Sequence, residues 1–175
     1  LDVMIHDIDL ILSFVNSPIK DIHASGIGIL TPSIDIANAR IEFENGAIAN
    51  VTSSRVSLKQ ERKIRFFQKD CYITLDFNTK QAKVIKKSSN VMKYLPKILM
   101  GATDIDPEKL VDQQLYDCTD NPKDALTMEL ESWIQAIIED RQPVVDGYAG
   151  TKALEVAVKI IKIIDEQVTK SKIKV

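Results

Sequence analysis

The chain has 175 residues, enough for one domain with a sizeable core. Its composition, 45% hydrophobic and 27% charged, is that of a globular protein, and a net charge of −2 (23 basic against 25 acidic side chains) removes any bulk electrostatic case for nucleic acid or an anionic membrane. No apolar run is long enough to span a bilayer, no signal peptide is visible, and Cys71 and Cys118 lack metal-ligand spacing, so both read as reduced thiols of a cytoplasmic protein.

The first sixteen residues, LDVMIHDIDLILSFVN, read as a helix. At about 100° per residue, Asp2, His6, Asp9, Ser13 and Asn16 fall on one narrow line. Nearly everything off that line is apolar, and only Asp7 breaks the pattern. These proportions predict a mostly buried helix whose polar line needs partners, a cleft or a ligand. The helix starts at once on Leu1 with no capping residue before it, which predicts a piece of a longer protein cut near a domain border.

Ser17-Pro18 stops the helix. Residues 21–30 read as a strand with Ile22, Ala24, Gly26, Gly28 and Leu30 on one face; its two glycines predict a bulge or the close approach of another group. Residues 34–44 and 47–56 form a hairpin joined by Asn45-Gly46, with a polar end at Ser53-Ser54-Arg55. Short strands over 63–68, 71–77 and 82–87 continue an antiparallel meander. Residues 88–123, broken by prolines, predict a long excursion with a short helical piece and a strand near 114–118. Helices over 124–140 and 148–168 close the chain, with Trp133 expected in the core and the basic tail from Lys170 frayed.

A histidine and a carboxylate one helical turn apart, as in Asp2 and His6, can handle a proton: the carboxylate fixes the imidazole tautomer while the other ring nitrogen meets a substrate hydroxyl. A core histidine with a capping aspartate fits the same spacing. No further Cys/His cluster supports a metal, and His23 stands alone in a strand. Arg55, Arg62, Lys63 and Arg65 form the densest basic patch, on the strand pair after the hairpin. They can grip a phosphate or sugar nucleotide, or, for Lys63 and Arg65 above all, pair with carboxylates across a solvated strand. Neither G-x-G-x-x-G nor a Walker motif occurs.

The run Asp2-Val3-Met4-Ile5-His6-Asp7-Ile8-Asp9 resembles the D-x-x-x-H motif that opens the C-terminal domain of Gfo/Idh/MocA oxidoreductases. The resemblance continues through DIANARIEFENGAIANVTSSRVS, ERKIRFFQKDCYITLDF and ELESWIQAIIEDRQPVVDGYAGTKALEVAVKII, and is weakest between Ser88 and Pro122. It implies that residues 1–175 are a C-terminal substrate-binding and oligomerisation domain. The implied fold is α+β, an open, mostly antiparallel sheet of about six strands with helices on one face. The N-terminal Rossmann domain, which would hold NAD or NADP and the family's E-K-P lysine, would lie outside this chain. The implied activity is hydride transfer between nicotinamide and a secondary alcohol of a sugar or sugar nucleotide. His6 would be the acid/base and Asp2 would orient substrate or His6. Arg55 and Asp9 would contact substrate. The SSRVSLKQERKIRFF stretch is most similar to bacterial members acting on nucleotide-activated amino sugars. The exposed sheet face would build a dimer or tetramer, with Ile27, Ile29, Ile41 and Phe43 covered there. This chain alone would fold yet be inactive. Two other readings fit the residues: a non-catalytic interaction domain that assembles through its sheet, and a family relative that only senses a sugar.

Overall fold

The computed structural model describes residues 3–101, 106–120 and 123–172, which divide into two compact units, one of residues 1–58 with 129–175 and one of residues 59–128.

The first unit begins with helix α1 (Met4–Phe14), whose Val3 cap offers no side-chain hydrogen bond. Val15 turns extended and Pro18 follows, so the helix cannot continue. The departing chain is stitched to the hairpin turn: the Ser17 hydroxyl accepts the Asn45 N–H at 3.1 Å, and the Pro18 carbonyl accepts the Glu44 N–H at 3.0 Å. Strands β1 (Ile19–Ile27), β2 (Ile36–Phe43) and β3 (Ile48–Ser54) form an antiparallel sheet in that order. The β2–β3 connection is one residue longer than the expected Asn45-Gly46 pair. The Phe43 N–H donates to the Ala47 carbonyl and Gly46 adopts φ +85°, which makes a three-residue loop with glycine in the left-handed position. The Asn45 side chain accepts the Ala47 N–H at 3.0 Å and holds that loop.

Alternation along the strands sends Ile22 and Ala24, then Ala37, Ala39, Ile41 and Phe43, then Val51, to one face, all buried. The closing helix α4 (Gly147–Lys172) lies on that face and buries Ala153, Val156, Ala157, Ile160 and Ile164, a single stripe at helical spacing. Met4 and Ile8 of α1 complete the core. The alanines bring helix and sheet close. Gly26 is needed for the same reason, since a Cβ there would meet Ile164 and Ile34 at 3.0 Å. Ile41 and Phe43 therefore face the helices. The expectation that they lie with Ile27 and Ile29 on the open face is corrected, because the two pairs have opposite strand parity in the observed register. The open face carries Asp21, His23, Asn38, Arg40, Glu42, Asn50 and Thr52, with Ile27 and Ile48 exposed among them. Helix α3 spans Ala125–Ile138, and its first turn is capped by the Asp124 carboxylate, which accepts the Thr127 N–H at 2.7 Å.

The second unit is a meander, β4 (Lys63–Phe67), β5 (Cys71–Asp76), β6 (Gln81–Lys87) and β7 (Val111–Asp117), antiparallel and in sequence order. Between β6 and β7 lie the short helix α2 (Val91–Leu99) and a 3₁₀ turn at Pro107–Leu110, as the expected excursion required. Cys71 and Cys118 are free thiols. The α+β class is as expected. The strands, however, number seven among the described residues, in sheets of three and four rather than one sheet of about six. No helix among the described residues is long and apolar enough to cross a membrane.

Candidate functional site

The polar line of α1 is more open than its composition suggested. Met4 and Ile8 are buried and Ile5, Ile11 and Leu12 pack beside the core, but His6, Ser13 and Asn16 are exposed and Asp9 is half-buried. A single buried i,i+4 pair is enough to seat a helix this short. The surrounding apolar residues are then left at the edge, and Phe14 is 53% exposed. The Ser13 hydroxyl donates to the Leu10 carbonyl at 2.7 Å and is spent on its own helix. Asp2 lies outside the described residues. Among the described residues no hydrogen bond or ion pair joins His6, Asp9 and Arg55 to one another. His6 thus presents an imidazole on the surface, beside a helix start.

Arg55, just past β3, is brought to that same helix start. With Ser53, Ile34, Asp35 and Ala37 it lines a small cavity closed by Val3 and Met4. Its N–H donates to the Asp35 carbonyl at 2.9 Å, while the Asp35 N–H donates to the Ile27 carbonyl at 3.0 Å. The Asp35 side chain, 4% exposed, is the hub of the β1–β2 connection. Its Oδ2 accepts the N–H groups of Ile29, Leu30 and Thr31 at 2.8, 2.7 and 3.0 Å, and its Oδ1 accepts the Thr31 hydroxyl at 2.9 Å. Backbone donors from Thr31, Ile29 and Leu30 hold this carboxyl well below the usual carboxylate range. Sequence reading missed Asp35; its signal is an Asx-type residue at the head of an alternating strand after Thr-Pro-Ser.

The other basic residues do not join Arg55 on one strand pair. Arg55 follows β3 in the first unit, whereas Arg62, Lys63 and Arg65 belong to the second. Lys63 is taken up by Glu61 at 2.9 Å and by its cross-strand partner Asp76 at 3.2 Å, the charge pairing expected of a solvated strand. Arg62 stacks over Phe77, 5.2 Å from the ring centroid. His23 pairs with Asp21 at 3.1 Å on the open sheet face. Trp133 is not in the core. It is 55% exposed on α3, in a stripe with Leu130, Ile134 and Ile137, and only Ala136 of that helix is buried.

The first unit, a three-stranded antiparallel sheet backed by a long closing helix, with an exposed histidine on the opening helix and an arginine near its start, is similar to the Gfo/Idh/MocA C-terminal domain. Residues 1–74 match the model of that domain, and the resemblance read from the sequence is borne out. Among particular proteins, the chain is 29% identical over 160 residues to UDP-N-acetylglucosamine 3-dehydrogenase of Acidithiobacillus ferrooxidans, an alignment covering 91% of this chain and 46% of that enzyme. A solved structure of the same enzyme superposes with a TM-score of 0.77 at 28% identity, covering 93% of this chain and 47% of that one. An NAD-binding protein from Listeria innocua shares the fold with a TM-score of 0.68 at 14% identity, covering 95% of this chain and 49% of the other. The chain spans about half the length of the relatives it matches.

Proposed function

We propose that this chain is the substrate-side domain of an NAD(P)-dependent oxidoreductase that transfers hydride between a nicotinamide and a secondary alcohol of a nucleotide-activated amino sugar. The observation that carries this reading is the similarity to UDP-N-acetylglucosamine 3-dehydrogenase across nine-tenths of the chain. His6 would be the acid/base that takes the hydroxyl proton, with Asp2 orienting it or the substrate. Arg55 and Asp9 would contact substrate, the guanidinium being suited to phosphate oxygens. The described strands are antiparallel throughout, with no parallel βαβ unit to cradle a dinucleotide, so NAD or NADP would be held by another domain. The nicotinamide supplies hydride chemistry when bound; what this chain supplies is proton handling and orientation.

The rest of the reading is a cytoplasmic homo-oligomer assembled through the open face of the three-stranded sheet. On that face the charges pair along each strand, His23 with Asp21 at 3.1 Å and Arg40 with Glu42 at 3.0 Å, which leaves the exposed Ile27 and Ile48 as apolar surface for a second copy to cover.

The test is turnover of UDP-N-acetylglucosamine with NAD or NADP by the full-length protein that carries this domain. His6→Ala should lower kcat by about 10²–10⁴-fold while the circular dichroism spectrum stays unchanged. Near-normal turnover in that variant removes His6 from the chemistry.

A further inference from the structure

The tip of the β1–β2 connection, residues 29–31, is held by a carboxylate rather than by its own apolar side chains. Ile29 and Leu30, whose N–H groups both point at Asp35, leave their side chains 56% and 77% exposed. Ile34 packs beside the core, but residues 29–31 gain no such burial, and the loop is wrapped so tightly that a Cβ on Gly28 would lie 2.5 Å from the Ser33 carbonyl oxygen and 2.6 Å from that of Thr31. All three polar parts of Asp35 are engaged at once, and each on a different segment: its N–H on β1, its carboxylate on the loop, and its carbonyl on Arg55. A buried carboxylate that accepts four hydrogen bonds has almost no freedom, and a residue joined to its carbonyl inherits that rigidity. The residue so joined is the exposed arginine beside Val3 and Met4, at the start of the helix that carries His6.

We propose that Asp35 is a positioning residue, which fixes the Arg55 backbone beside the start of α1 so that the guanidinium meets an anionic group of the substrate in a set place. This rests on the functional reading above in taking that group to be the diphosphate of a nucleotide sugar. Asp35 itself does not touch the ligand. Asparagine keeps the volume and can turn its one oxygen to the three N–H donors and its NH₂ to the Thr31 hydroxyl, but it loses the charge that strengthens those bonds, so the loop loosens and the Asp35 main-chain carbonyl that holds Arg55 is less firmly fixed.

The test uses the full-length protein, with UDP-N-acetylglucosamine as probe. Asp35→Asn should raise KM for the nucleotide sugar by about tenfold and leave kcat within about twofold, since an orienting contact made equally in ground and transition states is lost. Added to Arg55→Ala it should cost nothing further, because both act through one guanidinium. Arg55→Lys should recover part of the affinity. Effects that multiply in the double variant, or a fall in kcat at unchanged KM, overturn the proposal.

Amide hydrogen exchange separates it from the functional reading. Whatever the substrate proves to be, Asp35→Asn should speed exchange at residues 29–31 and at Arg55 by about tenfold or more. Unchanged protection at Arg55 overturns the positioning role, whereas failure of the wild type to act on the probe overturns the functional reading alone. If Asp35→Asn does not fold, Thr31→Val, which removes a single donor, should shift KM and Arg55 exchange in the same direction by a smaller factor; no shift in either refutes the proposal.

Discussion

The two units are made of the same material, antiparallel strands with side chains alternating across the pleat, and they differ in what covers the sheet. In the first, α4 and α1 lie on one face, and every apolar side chain buried among the described residues is found in this unit, from Met4 to Ile164. In the second, β5 is half-buried along its whole length, and among the described residues only the polar Ser88 is buried. The difference shows that a sheet's pattern alone does not make a core. Alternation presents an apolar face, but a second layer must close on it before water is excluded. The described residues of the second unit are held by the strand ladder, by turns such as Asp76 accepting the N–H groups of Asn78 and Thr79, and by the Lys63 ion pairs.

The largest expected effect follows from this contrast. Ile160→Ala, at a site with no exposure, should lower the unfolding free energy by about 2–5 kcal/mol. Ile73→Ala, half-buried in β5, should lower it by about 1 kcal/mol. Denaturant unfolding of the two variants checks both, and equal losses would show the second sheet to be as closely packed as the first.

A smaller effect sharpens the picture inside the first unit. The Asp35 carboxyl is held below its ordinary range by backbone donors from Thr31, Ile29 and Leu30, so its contribution is fully present above the unfolded value of about 4 and is lost as pH falls toward the depressed folded value. Asp35→Asn should therefore melt below the wild type at neutral pH. The two melting temperatures should converge as the solution is acidified through and below the carboxylate range. A gap that stays constant with pH would mean that the carboxylate charge is not what holds the loop.

The smallest effect belongs to the second unit. Hydrogen bonding to Glu61 and then Asp76 raises the Lys63 ammonium above its usual value, but these groups are solvated. Lys63→Met should shift the melting temperature only slightly, and added salt should erase the difference.

Much of this was legible in the chain itself. Period-two alternation and the Asn45-Gly46 signal place β2 and β3 to within a few residues, because strand register and turn chemistry are local properties. The expected strands over 63–68, 71–77 and 82–87 and the return near 114–118 match β4 to β7 for the same reason. The closing helices are where expected; α4 extends to Lys172, and the end of the tail expected to fray, residues 173–175, lies outside the described residues. Of the candidate site, His6 and Arg55 can be picked out of the sequence as candidates, by helical spacing and by a basic patch, whereas Asp35 cannot, since its value lies in donors and acceptors gathered from β1, the loop and Arg55.

What the sequence determined by itself is the set of elements, their antiparallel pairing and the likeness to a Gfo/Idh/MocA C-terminal domain, all of which depend on neighbours in the chain or on motifs kept in order. Only the tertiary structure decided which apolar faces are covered. Met4 and Ile8 are buried while Phe14 is not, Ile41 and Phe43 turn to the helices while Ile27 turns away, and Trp133 stays exposed on α3. An amphipathic pattern states that a face would gain by burial, and it does not carry the second surface that must arrive to bury it.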